Sequence, residues 1–351
     1  EILQFEESYI NKPHLVILGA GATMATIPKG DKFGKKSSCM NNFLSELGLQ
    51  NLLDGIDIYT NSTNIEKIYS ELHERSDCGK VVRKIEDTIY DYFSSLVIPD
   101  NVTIYDLLIL SLRKKDCIAT FNWDSLLVQA YNRISRFCSD LPKILYLHGN
   151  VGIKICDSCH KVIAITNGDR CPFCGKKLTP TRLLYPVARK NYDEDPFIHA
   201  QWKQFEQILP LPAVTTIFGY GAPPSDTLAI EKLKKAFLTF GQESRQFDEI
   251  EIIEKPGAKY KDVDQSWWDL SALTYDHMTL QDNFFNSYLA RNPRRTIEHA
   301  KAHNLDGMFA HAYCKWDAAD LNDDFESLKW YKKISETLQY ERTGNYSIII
   351  N

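Results

Sequence analysis

Short apolar runs that stop at glycine or a polar turn recur along the chain, and each reads as a buried strand handing its carboxyl end to a loop. His14 to Leu18 (HLVIL) is the first; it ends at Gly19-Ala20-Gly21, where small residues open a helix. Cys117 to Phe121 (CIATF) leads through a turn at Asn122 into a helix over Trp123 to Ile134, and Lys143 to Leu147 (KILYL) ends at His148-Gly149. Val214 to Phe218 (VTTIF) runs into Gly219-Tyr220-Gly221, and Glu249 to Ile253 (EIEII) stops at Glu254. Five such strands predict an α/β fold built on a Rossmann-like parallel sheet, whose carboxyl edge is where ligands bind.

Between about Asn41 and Leu112 the pattern changes. FLSELGLQNLL, IEKIYSELHE and VVRKIEDTIYDYFSSLVI repeat apolar residues at spacings of three and four, which predicts a helical module inserted at 41–112. A cysteine-rich module occupies 150–182, and the sheet domain as a whole spans 1–262. Residues 263–351 return to helical spacing, as in DFESLKWYKKISETLQ, and are read as a helical C-terminal region with no internal repeat. Its Trp267, Trp268 and Trp330 fit either a core or a partner surface, the core being commoner for tryptophan.

Composition narrows the class. The 351 residues are 44% hydrophobic and 25% charged, as in a folded globular protein, and the length allows more than one packed unit. A net charge of -5 supplies no positive field for a phosphate backbone, so direct nucleic-acid binding is not expected. The longest apolar runs, Ile104 to Leu112 and Ala213 to Phe218, fall short of the roughly 20 residues that span a bilayer, so no membrane segment is expected. The opening EILQFEESYI lacks the basic start and apolar stretch of a secretory signal, and the expected location is the cytoplasm.

Each motif has a chemical and a bland reading. Gly19-Ala20-Gly21-Ala22-Thr23 lets backbone approach a pyrophosphate at a helix amino terminus, or simply makes a tight turn. Asn122 and Asp124 sit two residues apart past a strand and can face one crevice; alternatively Asp124 only caps the next helix. His148 at a strand end titrates near neutrality and can move protons, although a lone histidine is more often structural. Gly219, Gly221 and Ser225 in GYGAPPSD offer amides and a hydroxyl to phosphate, or form an ordinary loop with Asp226 capping the helix that follows. Glu254 is placed to accept hydrogen bonds from a ribose diol, or is a solvated surface group.

The most specific spacing is Cys156-x2-Cys159, eleven residues, then Cys171-x2-Cys174. Four thiolates from two such knuckles can surround zinc tetrahedrally; two disulfides are the alternative, which a reducing compartment disfavours. A closed shell of four sulfurs makes this a structural Zn2+ site, so any chemistry must come from elsewhere.

Taken in order, GAGAT, IP, TFNWD, LHG, the paired knuckles, a glycine loop after a strand and a last strand with a polar end resemble the sirtuin (SIR2) superfamily, from about His14 to Lys255. That family reads GAGxS with IPDFR, TQNID, LHG, CxxC…CxxC, GTS and a strand ending near IN. The resemblance implies a sirtuin-like NAD+-binding fold in which Gly19, Ala20, Gly21 and Thr23 line the phosphates. It further implies that Asn122 contacts the nicotinamide ribose or an ordered water, that Asp124 holds the carboxamide, and that His148 is the base on the ribose hydroxyls. Two departures stand out. Lys29-Gly30-Asp31 follows Ile27-Pro28, without the arginine of IPDFR, and Leu183-Leu184-Tyr185-Pro186-Val187 stands where deacetylases carry a Phe-Gly-Glu loop.

GAGATMATIPKGDKFGKK, MNNFLSELGL and GYGAPPSD are similar to divergent bacterial SIR2-like proteins associated with phage defence. That likeness implies an NAD+ hydrolase releasing nicotinamide and ADP-ribose, as a homo-oligomer or with a partner defence protein, under regulation that spares the cell's own NAD+. A sirtuin-type deacylase or ADP-ribosyltransferase and a non-catalytic NAD sensor are the alternatives.

Overall fold

The computed structural model describes residues 9–37, 43–60, 62–164, 168–187, 190–237, 248–267, 278–300 and 315–343. Strand β1 (His14–Leu18) is followed by helix α1 (Ala20–Thr26) and then by α2 (Ile65–Glu74), α3 (Gly79–Ser94) and α4 (Ile104–Ser111). Next come β2 (Cys117–Thr120), α5 (Leu126–Ile134) and β3 (Lys143–Tyr146). A small excursion carries β4 (Ile153–Cys156), β5 (Lys161–Ala164) and β6 (Thr179–Pro180). The chain then returns through α6 (Pro196–Ile208), β7 (Val214–Phe218), α7 (Thr227–Phe237), β8 (Glu249–Ile253), α8 (Tyr260–Trp267), β9 (Met278–Gln281) and α9 (Leu328–Thr343).

All five anticipated strands form, and they pair in parallel in a six-stranded sheet of order β3-β2-β1-β7-β8-β9. The expected class, a Rossmann-like sheet with an inserted helical module and a four-cysteine module, is the one observed. The chain winds outward from β1 to β3 on one side and from β7 to β9 on the other. The order reverses between β1 and β7, which opens a crevice at their carboxyl ends.

Alternation along β1 builds the two cores. Val16 and Leu18 face the layer of α2, α3 and α4, whereas Leu15 and Ile17 face α6, α7 and α8. Helix α3 buries Val82, Ile85, Ile89 and Phe93, the three-and-four spacing that marked the region as helical, and α2 buries Ile65, Ile68, Tyr69 and Leu72. Helix α4 is buried along its whole length and packs on α5. Its one carboxylate, Asp106, is fully engaged: Thr103 donates from its backbone and hydroxyl at 2.7 and 2.6 Å, and Arg133 Nε donates at 2.6 Å. Such complete pairing is what permits a charge at that depth.

The structure corrects the reading in two places. Helix α5 begins at Leu126, so Asn122 to Ser125 form a loop; Asp124 Oδ1 accepts from Leu126 N at 3.0 Å and so caps the helix rather than lying in it. The C-terminal region is not wholly helical, because Met278–Gln281 extends the sheet beside β8; four residues are too few for a period of two to declare itself. Trp267 and Trp330 are core residues, 2% and 0% exposed, while Trp268 lies outside the described residues. No helix among the described residues is long and apolar enough to cross a membrane.

A buried polar chain crosses the sheet. His14 Nδ1 meets Thr296 Oγ1 at 2.8 Å and Nε2 meets Thr216 Oγ1 at 2.7 Å; Thr216 in turn donates to Glu251 Oε2 at 3.0 Å, while Tyr288 N donates to Oε1 at 2.9 Å. Burial pushes the Glu251 carboxyl up to about 8 and the His14 imidazole down to about 3. The folded state therefore holds a Glu251 proton that the unfolded chain releases near pH 4.3, and stability falls as pH rises from there to about 8. His14 acts in the opposite sense, and its contribution is complete above about pH 6.5. Thermal unfolding should therefore show a fall in Tm between about pH 6.5 and 8 that Glu251→Gln flattens; an unchanged slope in the variant would contradict this assignment.

Candidate active site

The crevice at the order reversal is closed at its base by two glycine turns packed on each other. Gly19 N donates to Phe218 O at 3.0 Å and Gly21 N to Gly219 O at 2.9 Å. A side chain at either contacting glycine of the first turn would collide with the second: a Cβ on Gly19 would lie 2.5 Å from Gly219 O, and one on Gly21 2.8 Å from Gly219 Cα. Gly219 also has φ +62°, and a Cβ there would sit 2.3 Å from Ala22 N. The two glycine motifs thus serve each other's approach as well as any ligand's.

Above them the first polar cluster forms. Asn122 Nδ2 donates to Gly19 O at 2.8 Å and to Thr23 Oγ1 at 3.1 Å, and Thr23 donates to Asp124 Oδ2 at 2.8 Å. Tyr105 OH, from α4, stands 2.8 Å from Thr23 Oγ1. Burial raises the Asp124 carboxyl above the usual carboxylate range, against the hydrogen bonds from Thr23 and Leu126. Asn150 Nδ2 ties the loop down by donating to Asp124 O at 2.6 Å.

The second cluster surrounds His148. Its ring stands edge-on to Phe121 with centroids 4.8 Å apart, and Phe121 stacks on Tyr220 at 4.2 Å. The imidazole is buried, and its Nε2 has no hydrogen-bond partner among the described residues. Asp226 Oδ1 lies 3.7 Å from Nε2 and pairs with Lys190 Nζ, while Tyr220 OH donates to Oδ2 at 2.7 Å. Burial, together with the Lys190 charge, lowers the His148 imidazole to about 3, so it is neutral at neutral pH. Burial pushes the Asp226 carboxyl up, but the charges of His148 and Lys190 and the hydrogen bonds from Lys190 and Tyr220 outweigh it and hold the group low. With His148 neutral, Lys190 carries that charge effect.

Both clusters open into one cavity of about 400 Å³, within the range of small-molecule sites. Of the anticipated residues Gly19, Ala20, Thr23, Asn122, Asp124, His148, Gly219 and Gly221 line it. Gly21, Ser225 and Glu254 do not. Gly21 is taken up by the contact with Gly219, and Ser225 donates to Glu66 Oε1 at 3.0 Å. Glu254 is half-buried at the end of β8, one strand away from the β1/β7 reversal.

Sequence reasoning missed Lys190 and Glu66 as lining residues and took Asp226 for a helix cap. Asp226 had a signal in the glycine loop that carries it. Lys190 had none, since it belongs to no strand end. Glu66, with Asn64, Phe43 and Phe93, comes from the helical module, which therefore forms a wall of the site. Burial raises the Glu66 carboxyl as well.

The two sequence departures have structural counterparts. Asp31 is buried and ties down its own loop: Oδ1 accepts from Phe33 N and Lys35 N at 2.9 and 2.8 Å, and Oδ2 accepts from Val97 N at 3.0 Å. Residues 183–187 lie against the helical module. Tyr185 packs on Trp123 and Tyr69 with centroids 5.6 and 5.7 Å apart and donates to Glu86 O at 3.1 Å, and Ser70 Oγ donates to Pro186 O at 3.2 Å.

The metal centre is separate. Antiparallel β4, β5 and β6 form a three-stranded sheet with a small core cluster of its own, Cys156, Ile163, Cys171 and Leu178. The Sγ atoms of Cys156, Cys159, Cys171 and Cys174 all lie within 4.8 Å of one another, and those of Cys156 and Cys174 are 3.5 Å apart. Zinc bonded at about 2.3 Å in a tetrahedron separates its sulfurs by about 3.8 Å, so the four thiols fit the ion. They would hold it as a structural cross-link.

No family model matches the chain, and no curated protein does. Among solved structures it is similar to a Sir2 homolog in an NAD complex, at 12% identity over 86% of this chain and 94% of that one, with a TM-score of 0.38. It is also similar to a Sir2 bound to acetylated peptide, at 12% over 88% and 98%, TM-score 0.36. A Sir2 enzyme described for its mechanism and regulation matches at 14% over 87% and 98%, TM-score 0.38.

Two outcomes are expected. Gly219→Ala should lower unfolding stability by roughly 2 to 5 kcal/mol in urea titrations, from left-handed strain and the clash with Ala22; a neutral effect would refute the packing argument. Elemental analysis should find one zinc per chain, lost in Cys156→Ser/Cys171→Ser, and chelation should lower Tm; an unmetallated protein of equal Tm would exclude the zinc cross-link.

Proposed function

We propose that the chain is a divergent sirtuin-superfamily enzyme that binds NAD+ and hydrolyses its bond to nicotinamide. The observation that carries this reading is the convergence of Asn122 and His148 on one cavity at the β1/β7 reversal, above two interlocked glycine turns. A dinucleotide needs such a close backbone approach for its pyrophosphate, and Gly19, Ala20 and Thr23 with Gly219 and Gly221 would supply it.

The charges support the chemistry. Nicotinamide leaves as a neutral base from a cationic ring, and positive charge builds on the sugar. The cavity offers the carboxyls of Asp124, Glu66 and Asp226 against one cation, Lys190, among its described lining residues, an environment suited to a developing cation. Asp124 would hold the carboxamide, and Asn122 would position the ribose or the attacking water. His148, neutral and lining the cavity, would accept a proton from a ribose hydroxyl. The balance is NAD+ plus water giving nicotinamide, ADP-ribose and a proton.

Water is favoured over an acyl-lysine as acceptor because residues 183–187 are bound to α2 and α3. We place the enzyme in the cytoplasm among NAD+-depleting defence effectors, acting as an oligomer or with a partner that restrains it, since free turnover would exhaust the host's own pool. The four cysteines would carry structural zinc and take no part in the reaction.

Incubation with NAD+ alone should release nicotinamide and ADP-ribose in equal amounts by chromatography. Asn122→Ala and His148→Ala should each lower kcat at least about 100-fold. Turnover that depends strictly on an acylated peptide or a protein acceptor would overturn the hydrolase in favour of a transferase, and NAD+ binding that survives His148→Ala, with no turnover by either form, would favour a sensor.

A further inference from the structure

The buried Lys190–Asp226 pair is unexplained by a simple base at His148. Lys190 is 7% and Asp226 2% exposed, both reach the cavity wall, and the pair comes from separate loops, one before α6 and one before α7. Burying two charges is costly, and for stability alone an apolar pair of the same volume serves as well. Here the Asp226 oxygen that takes Lys190 also faces the buried, unpartnered Nε2 of His148, at 3.7 Å. A movement of less than 1 Å makes that contact a hydrogen bond.

We propose that Asp226 is the positioning partner of His148, accepting a hydrogen bond from Nε2–H so that the other ring nitrogen is the base, and stabilising the imidazolium formed during turnover, and that Lys190 is the counter-charge that keeps Asp226 from drawing a second proton onto His148 at rest. The proposal rests on the reading of His148 as a base. When a ribose hydroxyl transfers its proton to Nδ1, the new imidazolium and the Lys190 ammonium share one carboxylate; the proton later leaves to solvent, and Asp226 stays ionised throughout. Tyr220 fixes the other Asp226 oxygen, so the carboxylate cannot rotate away without losing that bond. The other titratable groups facing this cluster are Glu66 from α2, which receives Ser225 beside Lys190, and Tyr192, whose ring lies 6.1 Å from His148 and whose hydroxyl is buried. Burial and the neighbouring carboxylate keep Tyr192 protonated, and burial raises the Glu66 carboxyl against the hydrogen bond from Ser225 and the Lys190 charge.

Histidine-labelled full-length protein read by nitrogen NMR tests this directly, with the His148 signal assigned by its loss in His148→Gln. In the wild type His148 should stay neutral over about pH 5 to 8.5. Lys190→Met, or Lys190→Gln if the methionine variant fails to fold, should raise the midpoint by at least about two pH units and so bring it into that window. Adding Asp226→Asn should abolish the rise, and Lys190→Arg should behave as the wild type. Identical titration in the wild type and the Lys190 variants, or a raised midpoint that persists without Asp226, would overturn the proposal. The NMR readout needs no turnover, so it stands or fails separately from the hydrolase assignment. If NAD+ is hydrolysed, Asp226→Asn should lower kcat at least about 100-fold with KM within about threefold; unchanged kcat would remove the positioning role.

Discussion

The contact between the turns after β1 and β7 governs the rest of the molecule. Gly19, Gly21 and Gly219 bring two backbones together where any side chain would collide, and this fixes the depth of the crevice at the reversal of strand order. Asn122 takes its orientation from the same place, because its amide donates to the Gly19 carbonyl. Thr23, one turn into α1, then orders Asp124, so the geometry passes from a glycine contact to a carboxylate through two hydrogen bonds.

Desolvation does the remaining work. The cavity gathers carboxyls, a lysine and an imidazole under an aromatic and helical cover, and burial moves Asp124 and Glu66 up and His148 down. Groups so displaced are characteristic of reacting sites because the low dielectric strengthens each charge they meet. Part of that cover is contributed by the inserted helices through Asn64, Glu66 and Phe93. The same helices hold residues 183–187 and, through Val97, the loop of Asp31. Module and site are therefore one packed unit, and a disturbance of α2 or α3 reaches the cavity directly.

The cysteine module follows a different logic. Its core cluster is confined to Cys156, Ile163, Cys171 and Leu178 with Cys159 against it, too little apolar surface to hold three short strands. A metal cross-link through the four thiols is the economical solution, and Ile153 and Ile155 of β4 tie the module to one of the larger cores.

The sequence by itself determined the five principal strands, the helical insertion and the four-cysteine cluster, because each rests on short-range periodicity or spacing: His14–Leu18, Val214–Phe218 and the paired C-x-x-C knuckles are local patterns. Most of the proposed site was legible for the same reason, since Asn122, His148 and the glycine turns sit directly at strand ends. Only the tertiary structure decided that β9 joins the sheet, that Gly21 and Ser225 do not line the cavity, and that Lys190 and Glu66 do. Those outcomes depend on contacts between residues far apart in the chain, such as Ser225 with Glu66 and Lys190 with Asp226. A local pattern carries no record of which distant carboxylate a lysine will meet; that is settled when packing excludes water from both.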